Sequence, residues 1–125
     1  MARVGLLAAR GGRWKGRQVL PGDYARAMGR TWPGLAGLAP RDPAKFPDAP
    51  RHYGLLWWNN ADGAMAGVPR DAFWAWGKGE SIILVVPSLD LVAARAGPAW
   101  RRGSWSADYD VVAPFFAGLT RAVVR

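Results

Sequence analysis

Lys78 stands between two glycines in the stretch Trp76-Gly77-Lys78-Gly79-Glu80-Ser81. A cation, a carboxylate and a hydroxyl therefore follow one another where the chain carries little side-chain bulk. A lysine in such a turn between strands is either a solvated charge or a charge presented to a bound anion. Aromatic residues precede it at strand spacing, in Trp57-Trp58 and Trp74-Ala75-Trp76. Tryptophans spaced this way fill a core or, if Trp57, Trp58, Trp74 and Trp76 are exposed together, form a stacking platform for a carbohydrate or peptide. Composition removes other chemistries. With no cysteine and a single histidine, His52, the chain has no disulfide, thiolate nucleophile, cysteine-held zinc or iron–sulfur centre, or histidine-rich metal site. No metal and no cofactor is expected.

The elements that must position these residues follow from periodicity and turn signals. Residues 2–10 place Val4, Leu7 and Ala8 on one helical face before Gly11-Gly12. No Ser, Thr, Asp or Asn lies ahead of Arg3 to cap that helix, so it reads as the end of a longer one, with Met1 an internal methionine of a larger protein. Trp14-Lys15-Gly16-Arg17 is a tight turn, and Pro21-Gly22-Asp23 opens a short helix to about Met28. Residues 30–52 hold five prolines and no apolar period, a long loop of the kind that forms a lid or drapes over another element. From Tyr53 the pattern becomes strands: Tyr53 to Trp58, Ala72 to Trp76, Ser81 to Val86, and Asp90 to Arg95 returning after a Pro87-Ser88 turn. A last helix starts near Asp108 or Asp110, with Pro114 expected in its first turn. There Val112, Phe115, Phe116, Leu119 and Val123 form a stripe that needs a sheet beneath it. The predicted class is α+β, an antiparallel sheet with a C-terminal helix packed across it. Residues 1–30 form the end of a helical part, 31–52 the proline-rich loop, and 53–125 an incomplete strand-and-helix part.

The net charge of +8 is uneven: residues 1–52 hold ten Lys and Arg against three Asp, and residues 53–125 hold seven against six acidic residues. The arginines do not form a run and no recognised nucleic-acid motif accompanies them, so no nucleic-acid partner is expected. The apolar run Ser81 to Val86 is far below the roughly 20 residues of a membrane-spanning helix. Arg10 interrupts the N-terminal apolar stretch before it reaches the length of a signal peptide. Neither a membrane partner nor a targeting segment is expected, and the cellular location stays open.

Three stretches carry a likeness to a known family. They are Leu6-Leu7 through Gly11-Gly12-Arg13-Trp14 to Leu20-Pro21, then Tyr53-Gly54-Leu55-Leu56-Trp57-Trp58, and then Trp76-Gly77-Lys78-Gly79-Glu80-Ser81 with Ile82 to Pro87 and the strand to Arg95. In this order they resemble the C-terminal portion of the serine β-lactamase and penicillin-binding-protein-like hydrolases, especially the class C β-lactamase and esterase-like branch. The resemblance implies the C-terminal part of the β-lactamase/transpeptidase-like fold. It also implies a parent enzyme, often exported, that acts on an ester, amide or β-lactam through an acyl-serine. By that likeness Lys78 is the cation beside the nucleophile and the Ser81 amide is half of an oxyanion hole. Gly77, Gly79 and Glu80 complete the segment facing substrate, and Trp76, Trp57 and Trp58 line the acyl pocket.

The chemistry of that family starts at Ser-x-x-Lys. The serines here are Ser81, Ser88, Ser104 and Ser106, and none has a lysine three residues on. The second family motif, Tyr-x-Asn or Ser-x-Asn, is absent as well. The expectation is therefore a partial hydrolase, inactive by itself, whose partners are the missing part of the same fold and a small-molecule or peptide substrate. The alternative is an aromatic-rich binding module for carbohydrate or peptide.

Overall fold

The structure is a computed structural model and describes residues 1–40, 43, 49–79, 81–98, 100 and 109–123. Its centre is an antiparallel sheet of four strands in the order β3-β4-β5-β6, with β3 at Trp58–Asn59, β4 at Phe73–Gly77, β5 at Ser81–Val86 and β6 at Leu91–Arg95. The order in space is the order in sequence, so short turns suffice to connect the longer strands. Pro87–Leu89 is a 3-10 turn, and Asp90 behind it takes the left-handed conformation that lets β6 return along β5. Asp71 braces this turn, its carboxylate accepting from the Ser88 amide at 2.6 Å and the Ser88 hydroxyl at 2.8 Å.

Period-two alternation divides the sheet into two apolar faces. Trp74, Ile82, Leu84 and Val86 point to one side, joined by Met65, Val68 and Ala72 from the preceding loop. Helix α4 (Tyr109–Arg121) covers this face with Val112, Phe116 and Ala117, and the Trp74 and Phe116 rings meet edge to face at 5.2 Å. Phe73 and Val85 point to the other side, against Ala8 of α1 (Ala2–Ala9), with Ala25 of α2 (Gly22–Ala27), Met28 and Trp57. The α+β class is thus realised as a sheet between helices. Burial on both faces explains why β5 reads as an almost unbroken apolar run.

Local details differ from the sequence expectations in instructive ways. Helix α1 turns Gly5 and Ala8 to the sheet, while Val4 is half exposed. A Cβ on Gly5 would lie only 2.6 Å from Val92 Cγ1 and 2.7 Å from Ile83 Cγ2, so the helix needs its smallest residue at this contact. Tyr53 to Trp58 is not one strand. The chain reverses at Leu55-Leu56, where the Gly54 amide donates to the Trp57 carbonyl at 2.8 Å and Tyr53 bridges Trp58. Leu56 has φ of 67° and faces solvent. An apolar run records burial, not direction, and the positive-φ position of this reversal holds a leucine rather than the usual glycine or asparagine.

Pro114 lies in the second turn of α4 rather than the first, with its ring on the exposed side, so one helical bond is forgone where water can reach the backbone. The β1–β2 hairpin (Arg13–Trp14 and Arg17–Gln18) has Lys15 and Gly16 both at positive φ, the geometry of a tight two-residue turn. The proline-rich loop contains a 3-10 turn at Pro33–Leu35 and one helical turn, α3, at Ala49–His52. Its ends are fastened together, the Thr31 hydroxyl donating to the Arg51 carbonyl at 2.7 Å and the Trp32 amide to the Tyr53 carbonyl at 3.1 Å.

Candidate functional site

The segment around Lys78 is a hairpin end. Gly77 closes β4 opposite Ser81 of β5, and Lys78 and Gly79 lie in the turn between them, Lys78 exposed and Gly79 at φ of 70°. The turn is held from the far side of the sheet. Arg95, the last residue of β6, donates from Nη1 to the Gly79 carbonyl at 3.1 Å and from Nη2 to the Pro98 carbonyl at 2.7 Å. Its guanidinium also stacks 4.0 Å above the Trp100 ring. Lys78 is therefore carried on an anchored turn. Glu80 lies outside the described residues.

The direction of the Ser81 amide follows from the phase of β4. The Ala72 carbonyl accepts from the Asn60 amide at 2.9 Å, so the backbone groups of Ala72 face the β3 side. Alternation along an unbroken register then turns Phe73, Ala75 and Gly77 toward β5. The Gly77 and Ser81 backbone groups consequently face each other across the hairpin. An oxyanion donor must be aimed into a site, whereas this amide is aimed between two strands.

The tryptophans separate onto the two faces. Trp57 is 5 % exposed among the residues under α1 and α2, its ring edge to face with Phe73 at 5.3 Å, and Trp74 is 1 % exposed under α4. A platform of four exposed rings therefore does not form, because neighbouring strand residues point to opposite sides. Trp58 and Trp76 remain on one face, edge to face at 6.2 Å, and Tyr53 meets Trp58 at 4.9 Å. These three half-buried rings make an aromatic corner, with Trp76 two residues before Lys78. Burial pushes the Tyr53 hydroxyl pKa up, so this group stays a neutral donor. Of the expected site residues, Trp76, Gly77, Lys78 and Gly79 lie at this end of β4, Trp58 pairs with Trp74 nearer the strand's start and touches Trp76, and Trp57 is on the opposite face.

A polar cluster escaped the sequence reading. His52, 2 % exposed, places Nδ1 3.2 Å from Asp62 Oδ1, and Arg51 Nη2 lies 3.1 Å from Asp62 Oδ2. Asn59 donates to the Thr31 hydroxyl at 3.2 Å and accepts from the Ala61 amide at 3.1 Å. Beside it the buried Asn60 accepts from the Met65 amide at 2.8 Å and donates to the Val68 carbonyl at 2.9 Å. These contacts fasten the loops on either side of β3. Asn59-Asn60-Ala61-Asp62-Gly63 reads as a turn, but its distant partners Thr31 and His52 left no spacing signal.

The chain matches no protein-family model, no curated protein and no solved structure. Among the described residues, no helix is long and apolar enough to cross a membrane.

Proposed function

We propose that this chain supplies the substrate-lining part of a serine hydrolase related to the β-lactamases and penicillin-binding proteins, without the nucleophile. The observation that carries this reading is the aromatic contact of Trp76 with Trp58, backed by Tyr53, on the strand that runs two residues later into the anchored Lys78 turn. An acyl group could lie against the rings while its carboxylate meets the lysine ammonium. The two glycines beside Lys78 allow a close approach of substrate to backbone. The reading rests on Lys78 and the aromatic corner rather than on the Ser81 amide. Since no Ser-x-x-Lys occurs in the 125 residues, acyl transfer requires a serine from a segment outside them.

The test compares the 125-residue chain with a product of the same gene extended upstream, using a chromogenic ester and a chromogenic β-lactam. Turnover is expected only from an extended product that carries an in-frame Ser-x-x-Lys. In that product Lys78→Ala should lower kcat/KM by about 100-fold, the scale of removing one preorganised charge-stabilising group. Without such an upstream frame, or with unchanged turnover by the Lys78→Ala protein, the hydrolase reading fails. Saturable binding of an oligosaccharide or peptide to the short chain, abolished by Trp76→Ala, would then favour a binding module.

A further inference from the structure

Folding brings Arg26 to a group of cations that are already near one another in sequence, Arg10, Arg13, Lys15 and Arg17. Among residues 1–40 there are seven basic side chains and a single acidic one, Asp23. Arg10 ends α1, and the Arg13 amide donates to its carbonyl at 3.2 Å, which joins the helix end to the β1–β2 hairpin. Arg13, Lys15 and Arg17 occupy that hairpin. Arg26 of α2 comes back to the same place: a Cβ built on Gly22 would lie 3.2 Å from Arg26 Nη1 and 4.0 Å from Gln18 Nε2. All five cations are exposed, and among the described residues none of them makes an ion pair; Asp62 pairs with Arg51 instead.

The scaffold beneath them is fixed. Gln18 Nε2 donates to the carbonyls of Gly11 and Leu20, and the Gly12 carbonyl accepts from the Val19 amide at 2.8 Å and the Leu20 amide at 3.1 Å. Like charges held together with Asp23 as the single acidic residue of this segment repel one another, and an external anion relieves that repulsion. Four of the five are arginines, whose planar forks match phosphate oxygens. The tip of the hairpin is Lys15-Gly16 and Val19 is the large exposed apolar side chain beside it, little apolar surface to bury in a lipid layer, which favours a polymer of phosphates over a membrane.

We propose that Arg10, Arg13, Lys15, Arg17 and Arg26 form a docking surface for the phosphate backbone of a nucleic acid, read without regard to sequence. The residues lie outside the proposed hydrolase site, so this surface stands or falls independently of it. The experiment is fluorescence anisotropy of a labelled 20-base-pair DNA duplex with the 125-residue chain between 50 and 200 mM salt. Arg13→Gln/Arg17→Gln is compared with Arg70→Gln/Arg121→Gln, which removes the same charge from exposed positions elsewhere. Both variants are checked by far-UV circular dichroism.

The wild type is expected to bind with a steep salt dependence. The hairpin pair should weaken binding about tenfold and flatten the slope of log K against log salt by roughly 2, as two lost phosphate contacts would. The control pair should change binding less than twofold. The proposal is overturned if the wild type does not bind at 50 mM salt, or if both pairs weaken binding equally, which would mean bulk charge alone. It is also overturned if the chain binds vesicles containing phosphatidylserine and not the duplex.

Discussion

Asn60 shows how much organisation one buried polar side chain can impose. Its amide group satisfies the Met65 N–H and the Val68 carbonyl at once, so the loop that delivers Met65, Val68 and Ala72 under α4 is tied to the end of β3. Asn60→Ala leaves both backbone groups without that partner in a buried setting, and a loss of about 2–4 kcal/mol is expected, measured as a lower urea midpoint with an unchanged slope. Tyr53 makes a pH-dependent contribution. Its folded pKa is raised by burial, so the neutral phenol is favoured in the folded state. That contribution is fully present below the unfolded value of about 10 and is lost as pH rises through the folded value. Tyr53→Phe should therefore show a smaller fall in stability than the wild type between about pH 9.5 and 11. An equal fall in both proteins would place the alkaline sensitivity elsewhere.

Helix α1 is seated by an absence of bulk. In an exposed helix Gly5→Ala would gain about 1 kcal/mol of helix propensity. Here the new methyl meets Val92 and Ile83 well inside contact distance, and the expected net effect is a loss of about 1–3 kcal/mol, seen as a lower Tm. A higher Tm would mean that α1 can lift from the sheet without cost. The same element shows where sequence reasoning stops. Val4, Leu7 and Ala8 fit a helical period, but the sheet receives Gly5 and Ala8 because closeness, not hydrophobicity, decides that contact. Strands β5 and β6 and helix α4 were legible, since a β-branched run, a proline turn and an apolar stripe each specify one local answer. The tryptophans were legible as apolar and not as to which face they occupy, because the reversal at Leu55-Leu56 shifts their phase. At the candidate site, the Lys78 turn could be read from its glycines, whereas the brace from Arg95 and the union of Tyr53 with Trp58 depend on pairings between separate segments.

At the scale of the whole molecule, one sheet serves two cores. Ile82, Leu84 and Val86 face α4 and Val85 faces α1, so β5 is covered from both sides and paired along both edges. Native-state hydrogen exchange should find its amides the slowest in the chain, with β3 and the outer edge of β6 opening first. Comparable rates in β3 and β5 would contradict a shared central strand. The contact of α1 with β5 and β6 also orders events during synthesis. An eight-residue helix is marginal alone, and the strands that receive it are translated roughly 5–15 s later at ordinary elongation rates. On the ribosome α1 thus gains the support of β5 and β6 only after those strands have emerged, and in that interval Leu6, Leu7 and Ala8 are open to a chaperone or a protease.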